Sequence, residues 1–287
     1  MAALALIAML FAIWKQVPEP SEWLCRRPTT TVLTDRRGQP LRVVLAEDGQ
    51  DCRWLPYSEM GPWLGPALIA AEDGRFYSHP GVDPLAIGRA LLQNLARGRV
   101  VSGASTISTQ VVRLAQLRAR TYRTKLIEAL MALKMERRLS KERILEEYLN
   151  RAPFGGFFVG AQAAARRYFG KDARELTLGE AALLAGLPQS PARYRPDRNL
   201  DRARRRREYV LRRMVRCGFI TEAQHAEALA QPLAIQQRNY PLIAPHFAER
   251  ARSNAPPEAP GSTIRTTLDP AVQQLAEDAL RQRVAAL

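Results

Sequence analysis

The stretch Glu72-Asp73-Gly74-Arg75-Phe76-Tyr77-Ser78-His79-Pro80-Gly81-Val82-Asp83 follows the apolar run Ala67-Leu68-Ile69-Ala70-Ala71. The run reads as the end of a buried helix, and the Pro80-Gly81 turn marks the break behind it. Two adjacent carboxylates therefore stand at a helix exit, with Phe76 and His79 close by. A carboxylate held against apolar surface loses hydration and is suited to collecting a proton from a hydroxyl. The pattern equally fits an acidic helix end beside a satisfied histidine, and spacing alone does not choose between the two.

Outward from this stretch, apolar residues recur at intervals of three and four from about Gly61 to Leu229. The main body is thus expected to be mainly α. Upstream, Thr31-Val32-Leu33-Thr34 and Leu41-Arg42-Val43-Val44-Leu45 flank Asp35-Arg36-Arg37-Gly38-Gln39, a pattern that predicts a small N-terminal β hairpin with a loop longer than two residues. Thr177 with Glu180 and Thr221 with Gln224 fit capping boxes, and Ser140 fits an N-cap for Lys141 to Leu149. Beyond Gln231 prolines accumulate and the chain reads as a linker. Asp269-Pro270 then opens a last helix, as N-cap and first helical residue.

The chain has 287 residues, enough for one large domain with appendages, and a formal net charge of +15. That charge implies a polyanionic partner: nucleic acid, an anionic membrane surface or a phosphorylated substrate. Ala2 to Trp14 is unbroken apolar sequence, shorter than the roughly 20 residues that span a bilayer. It reads as part of a membrane anchor, with Trp14 and Lys15 as interfacial residues, against a signal-peptide core or a buried helix. Cys25, Cys52 and Cys217 have no metal-ligand spacing and read as buried free thiols; a Cys25 to Cys52 disulfide is the alternative outside the cytoplasm.

Three further clusters carry chemistry. Gly103-Ala104-Ser105-Thr106-Ile107-Ser108-Thr109-Gln110 offers backbone and hydroxyl donors at a helix start, as an ordinary helix cap also would. Arg118 to Lys125 supplies cations, and Lys125 and Glu128, three apart, project from one helical face. Such a pair is either a surface ion pair or, on a cleft wall, a phosphate-holding cation beside a second carboxylate. The run Arg202-Ala203-Arg204-Arg205-Arg206-Arg207 reads as a solvated or headgroup-facing helix surface. Aromatic residues interleaved with cations are missing, so nucleic acid is not expected.

In order along the chain, five segments resemble the motifs of the family 51 peptidoglycan glycosyltransferases, the lysozyme-like domain of class A penicillin-binding proteins and monofunctional transglycosylases. Glu72 to Asp83 resembles the first motif, Gly103 to Gln110 the second and Arg123-Thr124-Lys125-Leu126-Ile127-Glu128 the third. Ser140 to Asn150 resembles the fourth, and Ala181-Ala182-Leu183-Leu184-Ala185-Gly186-Leu187-Pro188-Gln189-Ser190-Pro191 the fifth. Asn150 to Gly156, Arg195-Pro196-Asp197-Arg198 and Ala244-Pro245-His246-Phe247 are similar to the penicillin-binding protein 1C branch, in which a transpeptidase follows. Ile264 to Pro270 resembles the junction, and no penicillin-reactive serine, lysine or K-T-G element is present.

The resemblance implies a lysozyme-like glycosyltransferase domain over residues 61–235. A partial anchor at 1–15 and a β-containing region at 16–60 would precede it; 236–287 would be linker and the start of a transpeptidase. It implies polymerisation of lipid II into a growing glycan strand with release of polyprenyl diphosphate, at the periplasmic side of the inner membrane. Glu72 would be the general base and Glu128 the second carboxylate, positioning the donor or a pyrophosphate-bound cation. Arg113, Arg120 and Lys125 would neutralise the leaving group. Ser105, Thr106, Gln110 and His79 would hold the sugars or the scaffold, and Asp73 and Phe76 would support the site.

No cofactor is required on this reading, and a divalent cation, magnesium or manganese, is left open with the pyrophosphate; no metal ligand is assigned. Cell-wall synthesis proteins are candidate partners. Thr124, Ser108 and Thr109 depart from the family pattern and bear on donor affinity. Pro84 to Leu95, with Arg97 and Arg99 beyond it, falls where the family has a membrane-dipping jaw, or else forms a core helix. The rival readings are a lysozyme-like lytic hydrolase and a non-catalytic membrane-tethered scaffold.

Overall fold

The computed structural model describes residues 14–25, 29–99, 103–116, 121–236, 240–254 and 263–286. It is mainly α and divides into two compact units. The larger comprises Leu55–Gln236 with the described part of the first 27 residues. Its helices are α1 (Leu64–Glu72), α2 (Pro84–Arg97), α3 (Ile107–Gln116), α4 (Tyr122–Glu136), α5 (Lys141–Arg151), α6 (Ala161–Phe169), α7 (Leu178–Gly186), α8 (Leu200–Arg216) and α9 (Glu222–Ala230).

Helix α7 is the centre of this unit. Every residue from Gly179 to Gly186 is buried, which its nearly unbroken apolar sequence requires. Helices α1 and α8 pack on it and on each other, and Leu68, Ile69, Leu183, Leu184, Val210 and Met214 fill the space between them. Each such aliphatic side chain contributes about 1.5–3 kcal/mol on burial. Gly186 matters here because a Cβ at that position would come within 2.7 Å of the Arg206 side chain. Its absence lets the arginine cross α7.

The helix starts are set locally, as the sequence indicates. Thr177 accepts from the Glu180 N–H, Thr221 from the Gln224 N–H and Ser140 from the Arg143 N–H, the first two with the reciprocal bond of a capping box. Helix α2 behaves unlike a core helix. Asp83 caps it and Pro84 starts it, but only Ala90 is buried along its length. Leu85, Leu91, Leu92 and Leu95 are all more than half exposed.

The smaller unit comprises residues 28–54 and 237–287, described where placed. Strands β1 (Thr31–Thr34) and β2 (Pro40–Val44) form the expected antiparallel hairpin, and β3 (Thr263–Arg265) pairs parallel to β1 on its other edge. In the hairpin loop the Asp35 carboxylate accepts from the Arg37 and Gln39 N–H groups, an Asx-type turn. Within the proline-rich stretch read as a linker, α10 (Pro245–Asn254) is helical, and Leu41, Ala244 and Leu268 form a small core with Phe247 against it. Asp269 caps α11 (Pro270–Ala285) through the Ala271 N–H.

All three cysteines are free thiols, so the alternative disulfide is not formed. Cys52 is buried and Cys217 half-buried, but Cys25 is exposed, contrary to the expectation of burial. Most of the Ala2 to Trp14 run lies outside the described residues. Among the described residues no helix is long and apolar enough to cross a membrane.

Candidate active site

At the end of α1 the two adjacent acids part company. Asp73 leaves the helix with φ −152° and ψ 72°, which turns its side chain inward while Glu72 stays on the last turn. The Asp73 carboxylate accepts from the Ile107 N–H at 3.0 Å, satisfying a donor at the start of α3, and lies 3.1 Å from His79 Nε2 through both oxygens. The Gly81 N–H donates to His79 Nδ1 at 3.2 Å, so the ring proton belongs on Nε2, facing the carboxylate. Thr106 Oγ1 donates to the Gly81 carbonyl at 2.6 Å, and Lys141 Nζ donates to the His79 carbonyl at 2.7 Å while lying 4.3 Å from the centre of the Phe76 ring. Gly81 has φ +107° and a Cβ there would stand 2.9 Å from the Ala132 carbonyl oxygen, so a side chain is excluded.

Asp73, Phe76, His79 and Thr106 are therefore buried together in one network that ties the starts of α3 and α5 to the end of α1. Asp73, His79 and Asp83 also bring three potential metal-ligand atoms within 4.8 Å of one another. Their donor set does not suit a cation. The Asp73 oxygens face two N–H donors, His79 Nδ1 accepts from Gly81, and Asp83 accepts from the Ala86 N–H and pairs with Arg75.

Glu72 belongs to a different group. Gln110 Nε2 on α3 donates to Glu72 Oε2 at 3.0 Å. The amide's orientation is set from its other end, where Tyr148 Oη and Arg113 Nη2 approach Gln110 Oε1 at 3.4 and 3.5 Å. Glu72 Oε1 has no hydrogen-bond donor, and the Arg206 guanidinium lies 3.8 Å from it. The side chains of Glu72 and Arg206 are only 12% and 7% exposed, so this charge pair is poorly screened. Tyr148 reports the same field. Burial pushes its phenol well above the ordinary tyrosine range and the Glu72 charge adds to this, against Arg113 and Arg206. Tyr148 is thus a fixed neutral donor.

The third-motif residues lie on α4. Helices α3 and α4 pack as an antiparallel pair, with Ser108 Oγ in the first turn of α3 donating to Glu136 Oε1 at the end of α4 at 2.5 Å. Glu128 is half-buried, about two turns before Glu136 on the stripe of Met131, Ala132 and Met135. Lys125 is exposed on the preceding turn. Glu128 thus lies on the helix packed against α3, and α3 in turn carries Gln110 to Glu72 with Arg113 beside Gln110. Ser105 is exposed just before α3, and Arg120 lies outside the described residues. The departures from the family pattern have local structural work: Thr109 Oγ1 accepts from the Thr106 N–H, Ser108 holds Glu136, and the Thr124 hydroxyl lies 2.8 Å from the hydroxyl of the α4 cap Thr121.

A protein-family model described as Transglycosylase matches residues 37–215, well over half of the chain. The chain belongs to the transglycosylase family. It is 40% identical over 251 residues to penicillin-binding protein 1C of Escherichia coli (strain K12), an alignment covering 83% of this chain and 32% of that protein. It is 37% identical over 252 residues to penicillin-binding protein 1A of Aquifex aeolicus (strain VF5), covering 86% and 34%. The chain spans about a third of the length of these relatives. A crystal structure of penicillin-binding protein 1A from Haemophilus influenzae superposes with a TM-score of 0.45 at 22% identity, over 80% of this chain and 24% of that one.

In this chain the arginine run on α8 departs from its sequence reading as a solvated face. Arg202, Arg204 and Arg205 are exposed, but Arg206 and Arg207 are buried. Arg207 donates to the carbonyls of Ala228, Leu229 and Gln231, closing the C-terminal end of α9. Arg206 Nε donates to the Gly186 carbonyl at 3.1 Å, and the guanidinium stacks near Tyr209 and Tyr194 at 4.7 and 5.6 Å on its way to Glu72. The signal for this was present in the helix period. Ala203, Val210 and Met214 are buried at heptad-like spacing, and positions 206 and 207 fall on that face. Arg206 and Tyr148 are the site residues that motif matching alone passed over.

Proposed function

We propose that this transglycosylase polymerises lipid II into glycan strands and releases polyprenyl diphosphate. The observation that carries the reading is Glu72: a mostly buried carboxylate with one oxygen held by Gln110 and the other buried toward the Arg206 guanidinium. In the reaction the 4-hydroxyl oxygen of one lipid-linked disaccharide bonds to the anomeric carbon of the growing strand. Glu72 takes the hydroxyl proton, and the bond from that carbon to the diphosphate oxygen breaks, its electron pair leaving with the diphosphate. A fixed carboxylate in a partly dehydrated site suits the removal of that proton. Arg113 and Lys125, with Arg120 expected from the resemblance, would stabilise the charge on the leaving group.

Glu128, a hard oxygen donor, would position the donor's diphosphate or hold a magnesium or manganese ion accompanying it; such an ion supplies charge neutralisation at the phosphate oxygens. Ser105, exposed at the start of α3, would meet the sugars. The uncovered leucines of α2, flanked by Arg97 and Arg99, support contact with a membrane or with the lipid tails of the substrate. The resemblance would put the enzyme on the periplasmic face of the inner membrane, with other cell-wall synthesis proteins as partners.

Incubating the purified chain with lipid II and separating the products by length tests the reading. Polymer is expected. Cleavage of finished glycan without polymerisation would mean a lytic hydrolase, and neither product would mean a scaffold.

A further inference from the structure

A groove of about 430 Å³ opens between the single helical turn Pro191–Tyr194 and the first half of α8. Its walls carry Arg193, Arg202, Arg205 and Arg206 together with Tyr194 and Tyr209. Residues 202, 205, 206 and 209 follow the i, i+3, i+4, i+7 spacing of one helical face, so the helix itself aims three guanidiniums into one space. No carboxylate is among the lining residues. The acids of this part of α8 are turned to other arginines: Asp201 lies 3.6 Å from Arg204 and Glu208 3.1 Å from Arg212.

Arg193, Arg202 and Arg205 bring three guanidiniums to one groove without a carboxylate among its walls, and such like charges favour an anion between them. Arg206 sharpens the case. Its side chain is 7% exposed, and with Nη2 turned to Glu72 at 3.8 Å and Nε on the Gly186 carbonyl, it links the groove to the carboxylate behind it. The two tyrosine rings hold the plane of its guanidinium, which limits the entropy lost when its remaining N–H groups meet a ligand. Arginine rather than lysine throughout favours planar, forked recognition of a carboxylate or phosphate.

The geometry points to an oxyanion-binding subsite in this groove, reaching Glu72 through Arg206 and built on elements other than the α3 and α4 cations. The ligand is an oxyanion carried by the substrate, either the carboxylates of its peptide or its diphosphate; that source rests on the function proposed above. Tyr194 and Tyr209 add faces on which the peptide or sugar beside the anion can rest.

The test reads binding without turnover. Calorimetric titration of the purified chain uses two probes, inorganic pyrophosphate and a lipid-free, diphosphate-free disaccharide-peptide, against the wild type, Arg202→Ala/Arg205→Ala and Lys125→Ala. Both groove arginines are exposed, and circular dichroism confirms that the double variant is folded. At least one probe is expected to bind the wild type and to lose tenfold or more in affinity in the double variant; the probe affected identifies the source of the oxyanion. The proposal is overturned if neither probe binds the wild type, if both bind the double variant within twofold of it, or if binding depends on Lys125 alone. A chain that binds in this way yet makes no polymer sinks the polymerase reading and leaves the groove standing.

Discussion

Gln110 Nε2 donates to Glu72 Oε2 at 3.0 Å, joining the second motif to the first across 38 residues. The bond fixes the orientation of the carboxylate proposed as the general base, whose other oxygen, Oε1, is buried toward Arg206. Gln110→Ala is expected to keep the fold and to lower kcat about tenfold, with KM less affected, because a hydrogen bond to a charged group contributes about 1.5–3 kcal/mol. Steady-state polymerisation kinetics measure it. A kcat equal to wild type would mean that Gln110 does not position the base.

Glu72→Gln retains the shape of the side chain and removes its ability to take a proton. Loss of a general base lowers rates by about 10²–10⁴-fold. Product length and rate should fall together in a lipid II polymerisation assay while thermal stability stays near wild type. Unchanged rate would refute the base assignment.

Asp73, its immediate neighbour, is expected to act on stability instead. Asp73→Ala leaves the Ile107 N–H and the His79 Nε2–H without their acceptor in a buried network, and each unsatisfied donor costs about 1–3 kcal/mol. Chemical denaturation should show a loss of about 2–5 kcal/mol, larger than that of Glu72→Gln. Equal losses would mean that the two acids are not divided as the structure divides them.

Acid should weaken the fold in part through Asp83. Burial opposes its charge, but the Ala86 N–H and Arg75 outweigh burial and hold its pKa below the ordinary value. A carboxyl whose folded pKa is depressed adds stability above its unfolded pKa of about 3.9, and that contribution is lost as pH falls through the folded value. Stability measured from pH 6 to pH 2.5 should therefore fall less steeply below pH 4 for Asp83→Asn, which starts from a lower plateau. Identical slopes would contradict the assignment.

Helix α2 carries Leu91, Leu92 and Leu95 at 57%, 71% and 78% exposure. Replacing the three with glutamine should leave the melting temperature within a few degrees of wild type, since little buried surface is lost. Sedimentation with anionic lipid vesicles should show binding reduced several-fold. Undiminished vesicle binding would assign the membrane contact elsewhere.

Local chemistry was legible in the sequence. The caps at Ser140, Thr177, Thr221 and Asp269, the hairpin around Asp35 and the mainly α body follow from contacts between residues two to four apart, which the order of residues dictates directly. The motif residues around Glu72 were legible as a set through the resemblance of their segments, in order, to the family's motifs.

Their division of labour was decided only by tertiary structure. Which of Glu72 and Asp73 turns inward depends on where α3 presents the Ile107 N–H and the Gln110 amide. Arg206 reaches Glu72 because α7 has a glycine where α8 crosses it, β3 finds β1 from the other end of the chain, and α2 leaves its leucines uncovered. Each of these is a meeting between distant segments, set by the packing of whole helices and strands rather than by any local run of residues.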